Sequence, residues 1–218
     1  MDFNQARFNM VEQQIRPWDV LDFDLLDALA EIPREHFVAP EQKNYAYADL
    51  ALALPNGSMM LEPKIVARMI QGLKLQKTDH ILEVGTGSGY ATAVLSLLSA
   101  NVLTFDTDET QLAAAKKALN ELNYHNIRFE HGDGLAFSGS QQFDAIYIGG
   151  SLPVFPENLK EKLNPQGGRM VVVVGTAPIQ RCLQIVRNGD IFNEKTLFDT
   201  QIAALNTQTL TKPNTFTF

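Results

Sequence analysis

A glycine-rich segment at residues 83–90 has the residue types and spacing of a ligand-binding loop. It reads Glu-Val-Gly-Thr-Gly-Ser-Gly-Tyr, follows a predicted strand and opens a predicted helix. Its glycines let the backbone turn sharply and let a ligand approach closely. A dinucleotide-binding loop spaces its glycines as G-x-G-x-x-G and places pyrophosphate at the helix N-terminus. Here the glycines are spaced G-x-G-x-G, so the third one, Gly89, comes one residue earlier than in the dinucleotide pattern. Glu83 adds an acidic side chain before the loop. A nicotinamide dinucleotide site and a turn without a ligand remain alternatives.

Acidic side chains at later strand ends could bind an adenosine. Asp106 ends the second predicted strand, roughly 20 residues beyond the first glycine of the loop, where a carboxylate can accept hydrogen bonds from ribose hydroxyls. Asp108 is close to it but is better placed to cap the next helix. Asp133, between two glycines, could accept a hydrogen bond from the adenine amino group, although Asp-Gly is also a common turn pair. These positions favour an adenosine-containing ligand without choosing among such cofactors.

From His80 onward, strands and helices alternate regularly, which would bring the loop and these aspartates to one edge of a sheet. Strands are predicted at residues 81–84, 102–105, 127–129, 145–148 and 170–174, and helices at 90–98, 109–122 and 157–163. Residues 181–187 and 197–203 could form two more strands, joined by a hairpin around Asn188 and Gly189. The alternation predicts an α/β fold with a Rossmann-like, doubly wound, mostly parallel sheet.

The first third of the chain is predicted to form a helical cap. Apolar residues at helical spacing lie on both sides of Pro17, Pro33 ends the second helix, and Pro63 could open a helix that runs to Gly72. We divide the chain into an N-terminal helical cap and substrate region at residues 1–76, a cofactor-binding sheet domain at 77–205 and a polar tail at 206–218. We expect much of the tail to be mobile.

The composition limits the possible partners. The net charge is −7 and the pI is near 5.1, so the chain has no electrostatic reason to bind phosphate backbones, and we expect no nucleic-acid partner. Cys182 is the only cysteine and cannot build a multi-cysteine metal site, so no metal is predicted. The N-terminus shows no basic and apolar leader, and the longest apolar run, residues 170–174, is far too short to span a bilayer. These features predict a cytoplasmic protein without a membrane partner, and they leave the oligomeric state open.

The loop at residues 83–90 resembles motif I of the class I methyltransferases. The resemblance implies the class I S-adenosylmethionine-dependent methyltransferase fold, with S-adenosyl-L-methionine as the cofactor. This ligand has no pyrophosphate; it has a cationic sulfonium and an amino-acid end, and an acidic residue near the loop can favour that positive end directly or through water. The residues implied to bind the cofactor are Glu83, Gly85, Thr86, Gly87, Ser88, Gly89, Asp106, Gly132, Asp133, Gly134 and Gly149.

Several stretches, in order along the chain, resemble the protein-L-isoaspartate (D-aspartate) O-methyltransferases. They are Ile-Pro-Arg-Glu-His-Phe-Val at 32–38, Tyr-Ala-Asp at 47–49, the glycine loop, Gly-Asp-Gly at 132–134, Phe-Asp-Ala-Ile-Tyr-Ile-Gly at 143–149 and Leu-Asn-Pro-Gln-Gly-Gly-Arg at 163–169. The resemblance spans residues 10–185. It implies an enzyme that methylates a carboxylate of a protein or peptide.

One segment departs from the family pattern. The family carries a hydroxyl-rich Gly-x-Thr-Ile-Ser-x-Pro segment that helps close the active site, whereas residues 57–63 here read Gly-Ser-Met-Met-Leu-Glu-Pro. Leu61 replaces the serine and Met59 the threonine, which leaves Ser58, shifted in register, as the candidate catalytic hydroxyl. Residues 197–201 also differ from the family's substrate-facing strand. An apolar wall cannot hydrogen-bond a carboxylate, so we predict weak or undetectable methylation of isoaspartyl peptides despite intact cofactor binding. Met59 and Met60 could line an acceptor pocket or simply pack in the core.

The chemistry of the acceptor leaves other functions open. A carboxylate, with a pKa of about 4, is ionised at neutral pH and needs no general base, whereas a phenol or ammonium, with a pKa of about 10, usually does. His131 is the only histidine predicted on the ligand side of the sheet, so a small-molecule methyltransferase with His131 as base is one alternative. A non-catalytic protein that binds S-adenosylmethionine or a protein partner is another. Residues 149–151 lack an Asn/Asp-Pro-Pro-Tyr sequence, which disfavours an amide or nucleobase nitrogen as acceptor.

Overall fold

The N-terminal part of the protein is mainly helical in the computed structural model, which describes residues 1–207. α1 (Phe3–Asn9) continues into a π-helical segment, Met10–Ile15, and a 3-10 turn, Arg16–Trp18. α2 spans Phe23–Glu31 and α3 spans Pro63–Leu73. Between them lie two 3-10 turns, Arg34–His36 and Pro40–Tyr45, and a small antiparallel hairpin of β1 (Leu52–Ala53) and β2 (Met59–Met60). The prolines act as predicted, since Pro17 lies in the turn that ends the first helical stretch and Pro63 is the first residue of α3.

The rest of the chain builds a seven-stranded sheet in the order β5-β4-β3-β6-β7-β8-β9. The strands are β3 His80–Val84, β4 Asn101–Asp106, β5 Ile127–His131, β6 Ala145–Leu152, β7 Gln166–Thr176, β8 Ile179–Asn188 and β9 Ile191–Thr200. The first five in this spatial order are parallel, and β8 and β9 are antiparallel additions. The predicted doubly wound, mostly parallel sheet is therefore confirmed. The order reverses between β3 and β6, and ligands in such sheets bind outside the carboxyl ends at this switch point.

Helices cover the sheet where the sequence predicts them. α4 (Tyr90–Leu98) follows β3, and α5 (Glu109–Glu121) follows β4. Asp108 caps α5 by accepting a hydrogen bond from the Gln111 N–H at 3.0 Å, as predicted. The central strands are buried on both faces, which is why β6 and β7 read as nearly continuous apolar runs.

Strands β3 to β8 are all longer than predicted, and the last helix and β9 differ in where they lie. α6 spans only Glu157–Lys160, not 157–163, because residues 162–164 leave the helix and pair with Phe143. The hairpin between the last two strands is confirmed, but β9 begins at Ile191 and ends at Thr200, whereas the prediction was 197–203. The first half of this edge strand contains the exposed polar residues Asn193, Glu194 and Lys195, so a search for apolar patterns does not detect where the strand begins.

α3 connects the helical part to the sheet. The side chain of Gln184 donates to the Gly72 carbonyl, and Arg169 Nε donates to the Leu73 carbonyl at 2.8 Å. Arg169 also pairs with Asp79. One buried apolar cluster contains residues from the helical part and from the sheet. The division into a cap at 1–76 and a sheet domain at 77–205 stays a prediction.

Residues 208–218 of the predicted polar tail lie outside the described residues. Within residues 1–207, no helix has the length and apolar content needed to cross a bilayer.

Candidate functional site

The glycine loop joins β3 to α4 at the carboxyl edge of the sheet. Gly85, Gly87 and Gly89 have φ angles of 91°, 54° and 88°, in the left-handed region that favours glycine. The N–H groups of Gly85 and Thr86 donate to the Phe105 carbonyl at 2.8 and 3.1 Å, which holds the loop against β4. A Cβ on Gly89 would crowd α5, so this glycine serves the packing of two helices.

The two hydroxyl side chains of the loop are engaged inside the protein. Thr86 Oγ1 lies 2.6 Å from Thr104 Oγ1, and Ser88 Oγ accepts a hydrogen bond from the Tyr90 N–H at 3.3 Å. Both residues are buried. Their side chains therefore fix the shape of the loop.

Glu83 lies beneath the loop, where the direct contact with a ligand that the sequence allowed is not available. The side chain is fully buried beneath the loop, and Oε2 accepts hydrogen bonds from Thr92 Oγ1 at 2.6 Å and Thr104 Oγ1 at 2.7 Å. Burial raises the pKa of this carboxyl to about 8, since desolvation penalises the charged form more than the two hydroxyls stabilise it. Glu83 is therefore not placed to meet a bound cation directly, and at neutral pH it is mostly uncharged.

Asp106 ties the loop to the end of β4. Its Oδ2 accepts a hydrogen bond from the Gly87 N–H at 2.8 Å, and its Oδ1 accepts one from the Asp108 N–H at 3.0 Å. The residue is partly exposed and lines the cleft beside the loop. Each carboxylate oxygen can accept a second hydrogen bond, so these contacts leave capacity for ligand hydroxyls.

The segment after β5 forms the next wall of the cleft. Gly132 has a φ angle of 148°, and its N–H donates to the Asp106 carbonyl at 2.9 Å. Asp133 Oδ1 accepts a hydrogen bond from the Leu135 N–H at 3.0 Å, and Oδ2 accepts one from Thr207 Oγ1 at 2.7 Å. A Cβ on Gly134 would lie 2.9 Å from a side-chain carbon of β3, so a larger residue would push the segment away from the sheet.

Gly149, within β6, lies opposite the glycine loop across the switch point. A Cβ there would lie 2.8 Å from the Gly85 carbonyl oxygen, so only glycine lets the two backbones approach this closely. The parallel register of β3 with β6 ends at Val84 and Ile148, directly before these two glycines.

One cleft unites most of the predicted cofactor residues. Its walls are Asn56, Ser58, Met59, Val84, Gly85, Gly87, Phe105, Asp106, Thr107, Gly132, Asp133, Gly134, Gly149 and residues 203–206. Thr86 and Ser88 instead line an adjoining cavity, and neither Glu83 nor Gly89 lines either space. The candidate hydroxyl of Ser58 lies at the cleft and donates to Asn56 Oδ1 at 2.6 Å.

A segment near the C-terminus crosses this cleft. We call residues 202–207 the C-terminal strap. The Ser151 N–H donates to the Ala203 carbonyl at 3.0 Å, and the Leu205 N–H donates to the Ser151 carbonyl at 2.9 Å. Leu205 Cδ1 lies 2.6 Å from the position of a Cβ on Gly85, so its side chain rests directly on the glycine loop.

The adjoining space, which we call the second cavity, opens on the other side of the loop. It shares Met59, Gly85, Gly87 and Gly149 with the cleft. Its other walls are Met60, Leu61, Val66, Thr86, Ser88, Tyr90, Ala91 and Tyr147. Met59 and Met60 therefore line a cavity, one of the two possibilities that the sequence left open.

His131 lies apart from both spaces. It is exposed, and its Nε2 lies 3.2 Å from the Thr107 carbonyl oxygen. A side chain in this position contacts neither the second cavity nor the glycine loop.

Sequence reasoning missed Asn56, Phe105, the C-terminal strap and the two cavity tyrosines. Phe105 directly precedes Asp106 at a strand end, which was a usable signal for a position at the cleft. The strap carried no such signal. Ala203 pairs with Ser151, 52 positions away, through backbone groups, which are the same for every residue type.

Comparison with known proteins agrees with this geometry. The family model described as Protein-L-isoaspartate(D-aspartate) O-methyltransferase (PCMT) matches residues 6–208. The chain is 38% identical over 191 residues to Protein-L-isoaspartate O-methyltransferase of Bradyrhizobium sp. (strain BTAi1), which covers 87% of this chain and 89% of the relative. It is 38% identical over 206 residues to the protein of the same name from Roseiflexus castenholzii, covering 94% of each.

Solved structures share the fold over nearly the whole chain. A protein-L-isoaspartate O-methyltransferase structure superposes with a TM-score of 0.78 at 22% identity, covering 94% of this chain and 66% of the other. A Plasmodium falciparum structure, described as a protein-L-isoaspartate O-methyltransferase in complex with S-adenosyl-L-homocysteine, gives a TM-score of 0.76 at 18% identity, covering 94% and 99%.

Proposed function

The chain belongs to the protein-L-isoaspartate(D-aspartate) O-methyltransferase family, and from this membership we propose that it methylates the carboxyl group of isoaspartyl residues in proteins or peptides. The cofactor of the family is S-adenosylmethionine. The observation that carries the proposal is the cleft at the switch point, where the glycine loop, Asp106 and residues 132–134 meet within the region that the family model matches.

The cleft fits this cofactor in its chemistry. We propose that the backbones of Gly85, Gly87 and Gly149 accommodate the amino-acid end, because no Cβ blocks the approach to them. Asp106 would accept the ribose hydroxyls, and residues 132–134 would bind the adenine. Thr86, Ser88 and Gly89 support the loop from behind. Leu205 must shift for a ligand to reach Gly85, since its Cδ1 lies against that position.

The residues of this chain have only a positioning role in the chemistry. When bound, the cofactor would supply an electrophilic methyl group, which an acceptor carboxylate oxygen could take while the electron pair of the broken carbon–sulfur bond stays on sulfur. No proton is transferred, so a site without a histidine at the cleft suits a carboxylate acceptor. Apolar side chains such as Met59, Phe105 and Leu205 would exclude water from the reacting atoms. Ser58 remains a candidate polar contact for the acceptor.

Transfer of a labelled methyl group tests the proposal. The acceptors are an isoaspartyl peptide, its normal aspartyl isomer and a cell extract. We expect base-labile label on the isoaspartyl peptide and little on the isomer. Equal labelling of both isomers, or binding of S-adenosylhomocysteine without any methyl transfer, would overturn it. A Gly87→Val variant serves as the inactive control, because its β-branched side chain blocks the backbone of the loop.

A second candidate is a carboxyl methyltransferase with a changed acceptor, which Leu61 and Met59 favour. The sequence-based prediction of weak isoaspartyl turnover stays a prediction. We expect Met59→Thr with Leu61→Ser to raise kcat/KM for isoaspartyl peptides roughly ten- to a hundred-fold, since a positioning hydrogen bond contributes about 1–3 kcal/mol. Strong, isoaspartyl-selective turnover by the unmodified protein, unchanged in the double variant, would contradict it.

The finer points of identity also remain proposals. A small-molecule methyltransferase with His131 as base is less favoured, because that side chain lies away from the cavity. The cytoplasm as compartment and the exclusion of nucleic acid as acceptor rest on composition alone. We keep residues 1–76 as the acceptor-side region and 77–205 as the cofactor-side region.

A further inference from the structure

The second cavity is placed to receive the acceptor. It meets the cofactor cleft at Gly85 and Gly149, so a group in the cavity and a ligand in the cleft would face each other across these glycines. Most of its wall is apolar, including Met60, Leu61 and Val66. An acceptor carboxylate needs hydrogen-bond donors in such a space.

Two tyrosines in the cavity wall carry potential donors. Tyr90, the first residue of α4, is 1% exposed, and Tyr147 of β6 is 0% exposed, yet both line the cavity. The Tyr147 hydroxyl has no hydrogen-bond partner among the described residues, and the Tyr90 hydroxyl interacts with the guanidinium of Arg34. Buried polar groups normally have partners, so the unpaired Tyr147 hydroxyl, in the same cavity wall as Tyr90 and its cationic neighbour, points to an anionic ligand. Burial also raises the pKa of both phenols, which keeps them protonated and able to donate.

Arg34 adds positive charge behind this wall. Its guanidinium is fully buried and donates to two backbone carbonyls, those of Ala46 at 2.7 Å and Leu61 at 2.9 Å. Its Cζ lies 4.5 Å from the centre of the Tyr90 ring, and the guanidinium interacts with the Tyr90 hydroxyl. No carboxylate forms an ion pair with it among residues 1–207. A buried cation without an anion is costly and would be stabilised by a negative ligand nearby.

We propose that the hydroxyls of Tyr90 and Tyr147 bind the acceptor carboxylate, with Arg34 as a positioning residue that orients Tyr90 and provides charge. The proposal rests on the proposed function and extends it: the donors absent from residues 57–63 are replaced by phenols on α4 and β6. The acceptor is then an anionic carboxylate that reaches the bottom of an apolar cavity, and its neutral amide is rejected.

Single and double Tyr→Phe substitutions test the two hydroxyls. With saturating S-adenosylmethionine, we expect Tyr90→Phe and Tyr147→Phe each to raise KM for an isoaspartyl peptide about tenfold and to leave S-adenosylhomocysteine binding unchanged. Tyr124→Phe is the matched control, because this half-buried tyrosine lines neither space. Wild-type kcat/KM in the double variant would overturn the proposal.

A binding measurement separates this proposal from the proposed function. If the unmodified protein methylates no isoaspartyl peptide, the proposed function fails, but propionate can still be titrated into the complex with S-adenosylhomocysteine. Binding that is about tenfold weaker in the double variant than in the unmodified protein supports the two hydroxyls. Absent binding, or equal binding by both, overturns them.

The role of Arg34 is tested by the preference of the site for an anionic over a neutral ligand. A purely structural residue would not change this preference. Affinities for propionate and for the neutral propionamide are compared in Arg34→Met and Arg34→Lys. We expect Arg34→Met to lose the preference for the anion and Arg34→Lys to retain it. An unchanged preference in a folded Arg34→Met variant that still binds S-adenosylhomocysteine would remove Arg34 from the proposal, and the tyrosine variants remain decisive if Arg34→Met does not fold.

Discussion

Glu83 is buried where it can make the stability of the protein depend on pH. Its folded pKa is about 8, against an ordinary value of 4.5, so the folded state holds a proton that the unfolded state releases. Between these two values the unfolded state binds fewer protons, and the free energy of unfolding must fall as pH rises. The contribution is fully present below pH 4.5 and is lost as pH rises through about 8.

We therefore expect Glu83→Gln to flatten the pH dependence of stability. The amide mimics the protonated carboxyl, so the variant should match the unmodified protein near pH 5 and exceed it near pH 8.5. Denaturant unfolding of both proteins across this range measures the difference. Parallel curves would mean that Glu83 ionises in the fold without penalty.

Asp106 and its neighbour Asp108 offer a matched pair for the cofactor site. Asp106→Ala should weaken S-adenosylhomocysteine binding roughly ten- to a hundred-fold, since hydrogen bonds to a charged group contribute about 1.5–3 kcal/mol. Asp108→Ala removes the cap of α5 and an interaction with the Asn56 side chain, and it should cost about 1 kcal/mol of stability with a much smaller loss of affinity than Asp106→Ala. Calorimetry gives both affinities. If the two variants bind equally well, the carboxylate that recognises ribose is not Asp106.

The sequence allowed some of these side chains to be placed and not others. The distance of Asp106 from the glycine loop predicts its place at the cleft, and the strand-to-helix position of Asp108 predicts its cap. For Glu83 the alternation of a strand was the usable signal: Val84 lines the cleft, so its neighbour must face the other side of the sheet. Arg34, Tyr90 and Tyr147 come together only through tertiary packing, which no spacing in the sequence encodes.

At the scale of elements, the C-terminal strap occupies space above the glycine loop that a bound cofactor would need. We expect Leu205→Ala to bind S-adenosylhomocysteine several-fold more tightly and faster, because less apolar surface must be moved from Gly85. Stopped-flow and equilibrium binding measure both effects. Ile191→Ala, an exposed site at the start of β9, is the control. Weaker binding by Leu205→Ala would show that the leucine packs on the bound ligand instead of excluding it.

The boundaries of helices agree with the prediction where the local sequence signals, such as a glycine before an apolar run, are clear. α4 matches its prediction residue for residue, because a glycine precedes it and an apolar run fills it. The π-helical segment at Met10–Ile15 had no sequence signal, since its hydrogen bonds reach one residue further than those of an α-helix through the same residue types. The short α6 was also hidden, because its end is decided by pairing with Phe143.

For the whole molecule, ligand choice should appear as a change in thermal stability. S-adenosylhomocysteine at about 100 times its Kd should stabilise the fold by about 2.7 kcal/mol, which corresponds to a rise in Tm of roughly 5–10 °C for a chain of this size. NAD at the same concentration should give no shift, because the loop lacks the dinucleotide glycine spacing. A shift with NAD and none with S-adenosylhomocysteine would contradict the assignment of the cleft.

The attachment of α3 has a consequence for how the chain folds during synthesis. The last carbonyls of a helix have no partners within it, and here two of them are satisfied by Arg169 and Gln184, which lie 96 and 112 residues further along from Leu73 and Gly72. A nascent chain emerges N-terminus first. The carbonyls at the end of α3 therefore lack these partners until β7 and β8 have left the ribosome. Chains that stall before residue 184 would therefore leave the Gly72 carbonyl without its partner, and we expect chaperones and proteases to encounter these chains.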